Sequence, residues 1–221
     1  MVEVAVSLLN ADEEKIVQTL YDIEAGKADY FHIDVMDGKL VEDNTVDKML
    51  RYTEHIKQIS QLPIDVHLMV DDVEKHVKEY LSLDVNCISF QVEAYKNENR
   101  MQELLQLVKD NNTKVGLAIA PRTSIDRIFK YIPYIHKVIV MTVEPGKGGQ
   151  EYLPEMTSKI FELNKFIYEN GYDVDIEVDG GINGITAKEA TDAGANILVA
   201  GSYVLGLNNY QEAIRILKQK E

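Results

Sequence analysis

Apolar and polar positions alternate in eight short stretches of the chain: Val2 to Ser7, Phe31 to Gly38, Ile64 to Val70, Asn86 to Val92, Lys114 to Ala120, Lys137 to Thr142, Val174 to Asp179 and Asn196 to Ala200. Successive side chains on a strand point to opposite faces, so each stretch predicts a strand. Helix-like segments fall between them. Asp12 reads as an N-cap before Glu13 and Glu14 and opens a helix of about 14 residues; Asp71 and Asp72 open another. The clearest helices run from Pro154 to Glu169 and from Asn209 to Gln219. Eight strand–helix alternations without a Pro/Ser-rich linker predict one (β/α)8 TIM barrel domain over residues 1–221, with its active site at the C-terminal ends of the strands. An open doubly wound sheet is the alternative, but such sheets show longer all-apolar strands.

The polar faces are unusual. Opposite Phe31, Ile33 and Val35 lie His32, Asp34 and Met36; opposite Val66 and Leu68 lie Asp65, His67 and Met69; opposite Ile176 and Val178 lie Glu177 and Asp179. Buried carboxylates need partners. His32, Asp34, His67 and Asp179, placed at equivalent heights on three strands, form a two-His, two-carboxylate set suited to one divalent ion, Zn, Fe, Mn or Co. Met36, Met69 and Met141 face the same side, either filling gaps in the core or forming an apolar wall that excludes water. On strand 5, Gly116, Ala118 and Ala120 share the inward face, which predicts room at the barrel mouth. Asp37-Gly38 favours a turn, which gives Asp37 a structural role.

Composition narrows the function. A net charge of -14 argues against nucleic acid and anionic membranes as partners. An anionic substrate must then be captured locally. Hydrophobic content of 45% supplies one core, and the lone Cys87 reads as a buried core thiol. Met1-Val2-Glu3-Val4 shows no signal-peptide pattern and no run is long enough to span a bilayer, so a cytoplasmic protein is expected.

Three glycine turns follow the last three strands: Pro145-Gly146-Lys147-Gly148-Gly149-Gln150, Asp179-Gly180-Gly181 and Gly201-Ser202. Glycines let backbone N–H groups approach an anion, and phosphate sites in this barrel often use the loops after strands 7 and 8. A metal between two aspartates beside a phosphate cradle suits proton abstraction next to a carbonyl. One aspartate removes a proton, the metal stabilises the enediolate, and the other aspartate returns a proton. Approach from opposite faces gives epimerisation. Lys147, between glycines, is either part of a lid over the substrate or a solvated loop lysine.

These motifs resemble the ribulose-phosphate 3-epimerase family along essentially the whole chain. They are Val6-Ser7-Leu8-Leu9-Asn10-Ala11-Asp12, His32-Ile33-Asp34-Val35-Met36-Asp37-Gly38, Asp65-Val66-His67-Leu68-Met69-Val70, Val140-Met141-Thr142-Val143-Glu144-Pro145-Gly146, Gly148-Gly149-Gln150, Glu177-Val178-Asp179-Gly180-Gly181 and Ala200-Gly201-Ser202. The resemblance implies metal ligation by His32, Asp34, His67 and Asp179, with Asp34 and Asp179 as the acid–base pair. It implies that Ser7 contacts the sugar, with His67 and Gly146-Lys147 beside it, and that Gly148, Gly149, Gly180, Gly181, Gly201 and Ser202 hold the phosphate. The implied reaction interconverts D-ribulose 5-phosphate and D-xylulose 5-phosphate in the pentose phosphate pathway, in a homo-oligomer.

The chain departs from the family pattern at Val6, Gln91, Ala120 and Lys147, where the family usually has Pro, His, a polar residue and an aromatic. Gln91, Ala120 and Lys147 are expected to border the substrate, which keeps D-allulose 6-phosphate as an alternative. A lyase with an Asp-x-Lys-x-x-Asp signature is disfavoured, since Asp37-Gly38-Lys39 is followed by Glu42. A non-catalytic phosphosugar binder would not require an acid–base pair.

Overall fold

The computed structural model describes residues 2–95 and 97–219. Residues 1, 96, 220 and 221 of the expected 1–221 domain lie outside the described residues. Eight parallel strands close into a barrel in sequence order: β1 (Glu3–Ser7), β2 (Tyr30–Met36), β3 (Ile64–Met69), β4 (Cys87–Gln91), β5 (Lys114–Ile119), β6 (Lys137–Met141), β7 (Asp175–Asp179) and β8 (Ile197–Ala200). Around it lie α1 (Ile16–Ala25), α2 (Val46–Ile59), α3 (Val73–Leu81), α4 (Glu98–Asp110), α5 (Asp126–Phe129), α6 (Met156–Glu169), α7 (Thr186–Asp192), α8 (Ser202–Leu205) and α9 (Tyr210–Leu217). The (β/α)8 expectation holds, with strand ends differing by a residue or two. The long helix expected from Asp12 is divided. Asp12 accepts from Glu14 N at 3.0 Å, which tightens the first turn into a 3-10 segment (Glu13–Lys15) before α1 begins.

Period-two alternation sorts the side chains as expected. Val4, Val6, Phe31, Ile33, Val35, Val66, Leu68, Val138, Val140, Ile176 and Val178 point outward into one continuous core beneath the helices. The barrel interior is different. It holds two small apolar clusters, Ala5 with Ile197 and Val199, and Ala118 with Ile139, Met141 and Val143. Beside them stand Met36 and Met69 and a set of polar groups: Ser7, His32, Asp34, Asp65, His67, Ser89, Gln91, Lys137 and Glu177 are all buried. Cys87 is buried and free, and burial pushes its thiol up to about 12, so it is the inert core residue expected.

The small inward residues of β5 do not all open the mouth. Gly116 lies opposite Lys137, and a Cβ there would stand 2.9 Å from Lys137 Cγ and 2.3 Å from Ser89 Oγ. The glycine thus admits a lysine stem to the lower interior. Gly→Ala in a strand ordinarily stabilises by restricting the unfolded chain. Here overpacking outweighs that gain, and Gly116→Ala is expected to destabilise by about 1–3 kcal/mol, read as a lower urea midpoint at unchanged slope. An unchanged midpoint would show that the interior yields at this point.

Candidate active site

Strand register brings the chemistry together. Asp34 pairs with His67 across β2 and β3, while His32 pairs with Asp65 one layer lower. The four expected ligands are therefore not level: His32 reaches up from below. Asp179 ends β7. Thr45 fixes the end of β2, its Oγ1 donating to Asp34 O at 2.7 Å and accepting from Met36 N at 2.9 Å. Thr142 N donates to Asp179 O at 2.8 Å, which fixes the end of β7.

Four donor atoms face one another. Asp34 Oδ1 lies 3.3 Å from His32 Nε2 and 3.4 Å from His67 Nδ1. Asp179 Oδ2 lies 3.8 Å from His32 Nε2 and 3.3 Å from His67 Nδ1. Donors held about 2.1 Å from a shared ion in tetrahedral array stand about 3.4 Å apart. His32 Nε2 and His67 Nδ1 are buried and have no hydrogen-bond partner, a cost that a divalent ion removes. The residues fit a divalent metal, and the described residues hold such a group at His32, Asp34, His67 and Asp179.

The outer contacts orient the rings. Asp65 Oδ2 lies 2.9 Å from His32 Nδ1, so in the neutral ring that nitrogen keeps the proton and Nε2 is the lone pair. Gln91 Nε2 lies 3.1 Å from His67 Nε2, and Gln91 Oε1 has no partner. Turning the amide over satisfies both: Oε1 accepts from Nε2–H, leaving Nδ1 as the lone pair. Ser7 Oγ donates to Asp34 Oδ2 at 2.6 Å. Burial works against a charged His32 ring, but Asp34 and Asp65 outweigh it and hold its pKa well above the usual value. His67 is raised in the same way, burial being outweighed by Asp179 and Asp34. Burial also opposes the Asp34 carboxylate, yet His32 and His67 hold its pKa well below the carboxylate range.

Above this floor opens a cavity lined by Ser7, Asp34, Asp179, the three methionines Met36, Met69 and Met141, and the glycine turns. Gly146, Lys147, Gly148, Gly149, Gly180, Gly181, Gly201 and Ser202 all line it. His32 and His67 lie beneath the lining, fully buried. Gly181 adopts φ +67°, and a Cβ there would meet Tyr152 N at 2.3 Å, so the β7 turn depends on glycine for its backbone as well as for its proximity to the cavity. Gln150 Nε2 donates to Glu144 O (2.7 Å) and Lys147 O (2.8 Å), pinning the turn after β6. Asp37 Oδ1 accepts from Lys39 N and Leu40 N, and Oδ2 from Asp71 N, the structural role expected.

Of the departures thought to border the substrate, Lys147 lines the cavity, whereas Gln91 and Ala120 are absent from the described lining. Gln91 acts from below, on His67. Ala120 N donates to Glu93 Oε1 at 3.0 Å, away from the sugar space. The Ser7–Asp34 bond and the burial of Lys137 between Asp65 and Glu177 were not anticipated. Strand parity alone already puts Lys137 on the inward face with Met141.

A closed parallel barrel whose strand ends carry two aspartates and two imidazoles under a glycine-lined cavity defines a (β/α)8-barrel enzyme. The chain belongs to the ribulose-phosphate 3-epimerase family, whose model matches residues 3–205, and is an isomerase. It is 37% identical to the ribulose-phosphate 3-epimerase of Methanocaldococcus jannaschii over 99% of this chain and 91% of that protein. It is 36% identical to that of Bacillus subtilis over 97% of each. Among solved structures, 3-keto-L-gulonate-6-phosphate decarboxylase from Vibrio cholerae superposes with a TM-score of 0.74 at 9% identity, covering 99% of this chain and 96% of that one. That likeness shows the fold alone. Among the described residues no helix is long and apolar enough to cross a membrane.

Proposed function

We propose that this chain, folded as one barrel domain and assembled as a homo-oligomer, interconverts D-ribulose 5-phosphate and D-xylulose 5-phosphate at C3. The observation that carries this is the pair Asp34 and Asp179, converging from β2 and β7 on the same two unpartnered imidazole nitrogens at the cavity floor. β2 and β7 stand three places apart around the barrel, so the carboxylates reach a substrate from different sides.

His32, Asp34, His67 and Asp179 would hold a divalent metal, Zn, Fe, Mn or Co. When bound, it supplies Lewis-acid charge that steadies the electron pair as it moves onto the substrate oxygens. Asp34, held ionised by its neighbours, takes the C3 proton in one direction, and the C–H electron pair passes into the C2 carbonyl to give the enediolate. Asp179 returns a proton to the other face of C3; the roles exchange in reverse. Ser7 Oγ, donating to Asp34 Oδ2, holds the base in place beside the sugar. Met36, Met69 and Met141 exclude water from the planar intermediate. The phosphate lies against Gly148, Gly149, Gly180, Gly181, Gly201 and Ser202, with Gly146 and Lys147 beside the sugar.

With Gln91 and Ala120 outside the cavity lining, the expected extra space for a six-carbon sugar loses its support. One methylene more or less in a pocket typically changes kcat/KM by about 10- to 200-fold. Metal-reconstituted protein is expected to prefer D-ribulose 5-phosphate over D-allulose 6-phosphate by about tenfold or more in kcat/KM. A preference for the hexulose would keep the chemistry and change the substrate; turnover of neither would defeat the proposal.

A further inference from the structure

Among the described buried residues, Lys137 is the one lysine or arginine. It opens β6 at the lower end of the barrel, and the mechanism above leaves it without a task. Its Nζ donates to Asp65 Oδ1 and, at 2.5 Å, to Glu177 Oε2. Those carboxylates present their other oxygens to one atom: Asp65 Oδ2 stands 2.9 Å and Glu177 Oε1 3.3 Å from His32 Nδ1. Lys137 and the two carboxylates thus form a cluster directly under the four-donor ring, joined to the His32 imidazole by the Asp65 hydrogen bond, with Glu177 Oε1 close by but without a hydrogen bond.

His32, Asp65 and Glu177 have the composition of a second cation site. That site already contains a cation, the ammonium of Lys137, covalently tethered and seated between the two acids. Two buried carboxylates 33 and 40 residues away in sequence from their partners would otherwise repel each other across the interior. The glycine at 116 completes the device, because any larger residue would take the space of the lysine stem. Burial opposes the ammonium, and Asp65 and Glu177 outweigh it, so its pKa stands well above that of an ordinary lysine.

We propose that Lys137 is a positioning residue for the metal. By holding Asp65 and Glu177 together it fixes the His32 ring with Nδ1–H turned down onto Asp65 and the Nε2 lone pair turned up into the donor ring. The inference rests on the metal reading above. It assigns no contact between Lys137 and substrate.

The test titrates Co²⁺ into metal-free wild-type protein, Lys137→Met and the double variant Lys137→Met/Glu177→Gln, reading affinity by chelator competition and ligand geometry by the visible spectrum. The double variant removes the lysine together with one of the two acids it bridges, so that fewer buried acids are left without their partner. Outer-shell changes typically cost 10- to 100-fold in metal affinity. Both variants are expected to bind Co²⁺ about tenfold or more weakly than wild type, with an altered spectrum. A variant that melts earlier yet binds Co²⁺ with wild-type affinity and spectrum would show a purely structural lysine and overturn the inference. Wild-type protein that binds no Co²⁺ would remove the metal reading itself, a result distinct from tight wild-type binding with no change in the variants.

Discussion

Asp179→Asn is expected to lower kcat on D-ribulose 5-phosphate by about 10²- to 10⁴-fold, the range that a positioned acid–base group contributes. Asparagine keeps the shape of the side chain, which is 14% exposed at the cavity floor, and leaves intact the backbone bond from Thr142 N to Asp179 O. The fold should therefore survive, and what is lost is a proton carrier and an anionic donor. The sharper reading comes from exchange in deuterated water, with metal content checked in each protein. If Asp34 and Asp179 serve opposite faces, Asp179→Asn retains Asp34 and exchanges the C3 proton of one epimer without inverting it. Asp34→Asn does the same for the other epimer. Complementary, one-sided exchange is the expected pattern. Wash-in of deuterium to both epimers by either variant would mean that one group serves both faces, and the two-base assignment would fall.

Much of this site was legible from strand parity. His32, Asp34, His67 and Asp179 alternate with outward apolar residues, and the closed barrel turns that alternation into convergence. Their relative height was not legible. Asp34 and His67 are neighbours in register, but His32 is paired with Asp65 and reaches the group from the layer below. Ser7 shows a second limit. Its partner, Asp34, is 27 residues away, and the contact exists because β1 closes the sheet between β8 and β2. Lys137 shows a third. Parity places it inside, but a lysine following His136 at a strand start reads as a solvated residue until Asp65, Glu177 and the space beside Gly116 are seen around it. Pairing across the barrel, unlike pattern along a strand, is not written locally.

The metal-free protein is expected to lose stability as pH rises above about 6.5, and saturating metal to restore it. In the metal-free state both imidazoles stand among carboxylates, and their pKa values are raised in spite of burial. A group raised on folding contributes its full stability below its unfolded pKa, and that contribution fades as pH climbs through the folded value. Asp34, lowered on folding, acts in the opposite sense: its contribution is present above about pH 4 and is lost on acidification. Metal ligation needs the lone pairs of His32 Nε2 and His67 Nδ1, so loading displaces up to two protons and tightens as pH rises. At a free metal concentration about 100 times Kd, binding stabilises by about 2.7 kcal/mol. For a chain of this size that raises Tm by about 5–11 °C. Calorimetry between pH 6 and 8, with chelator-stripped and Zn²⁺- or Co²⁺-loaded protein, should therefore show the two Tm curves diverging, with proton release on loading in weak buffer. Parallel curves, or loading that releases no proton, would mean that the imidazoles are already neutral without metal. The charge-assisted ring of Asp34, Asp179 and the two histidines would then not be what holds the empty floor together.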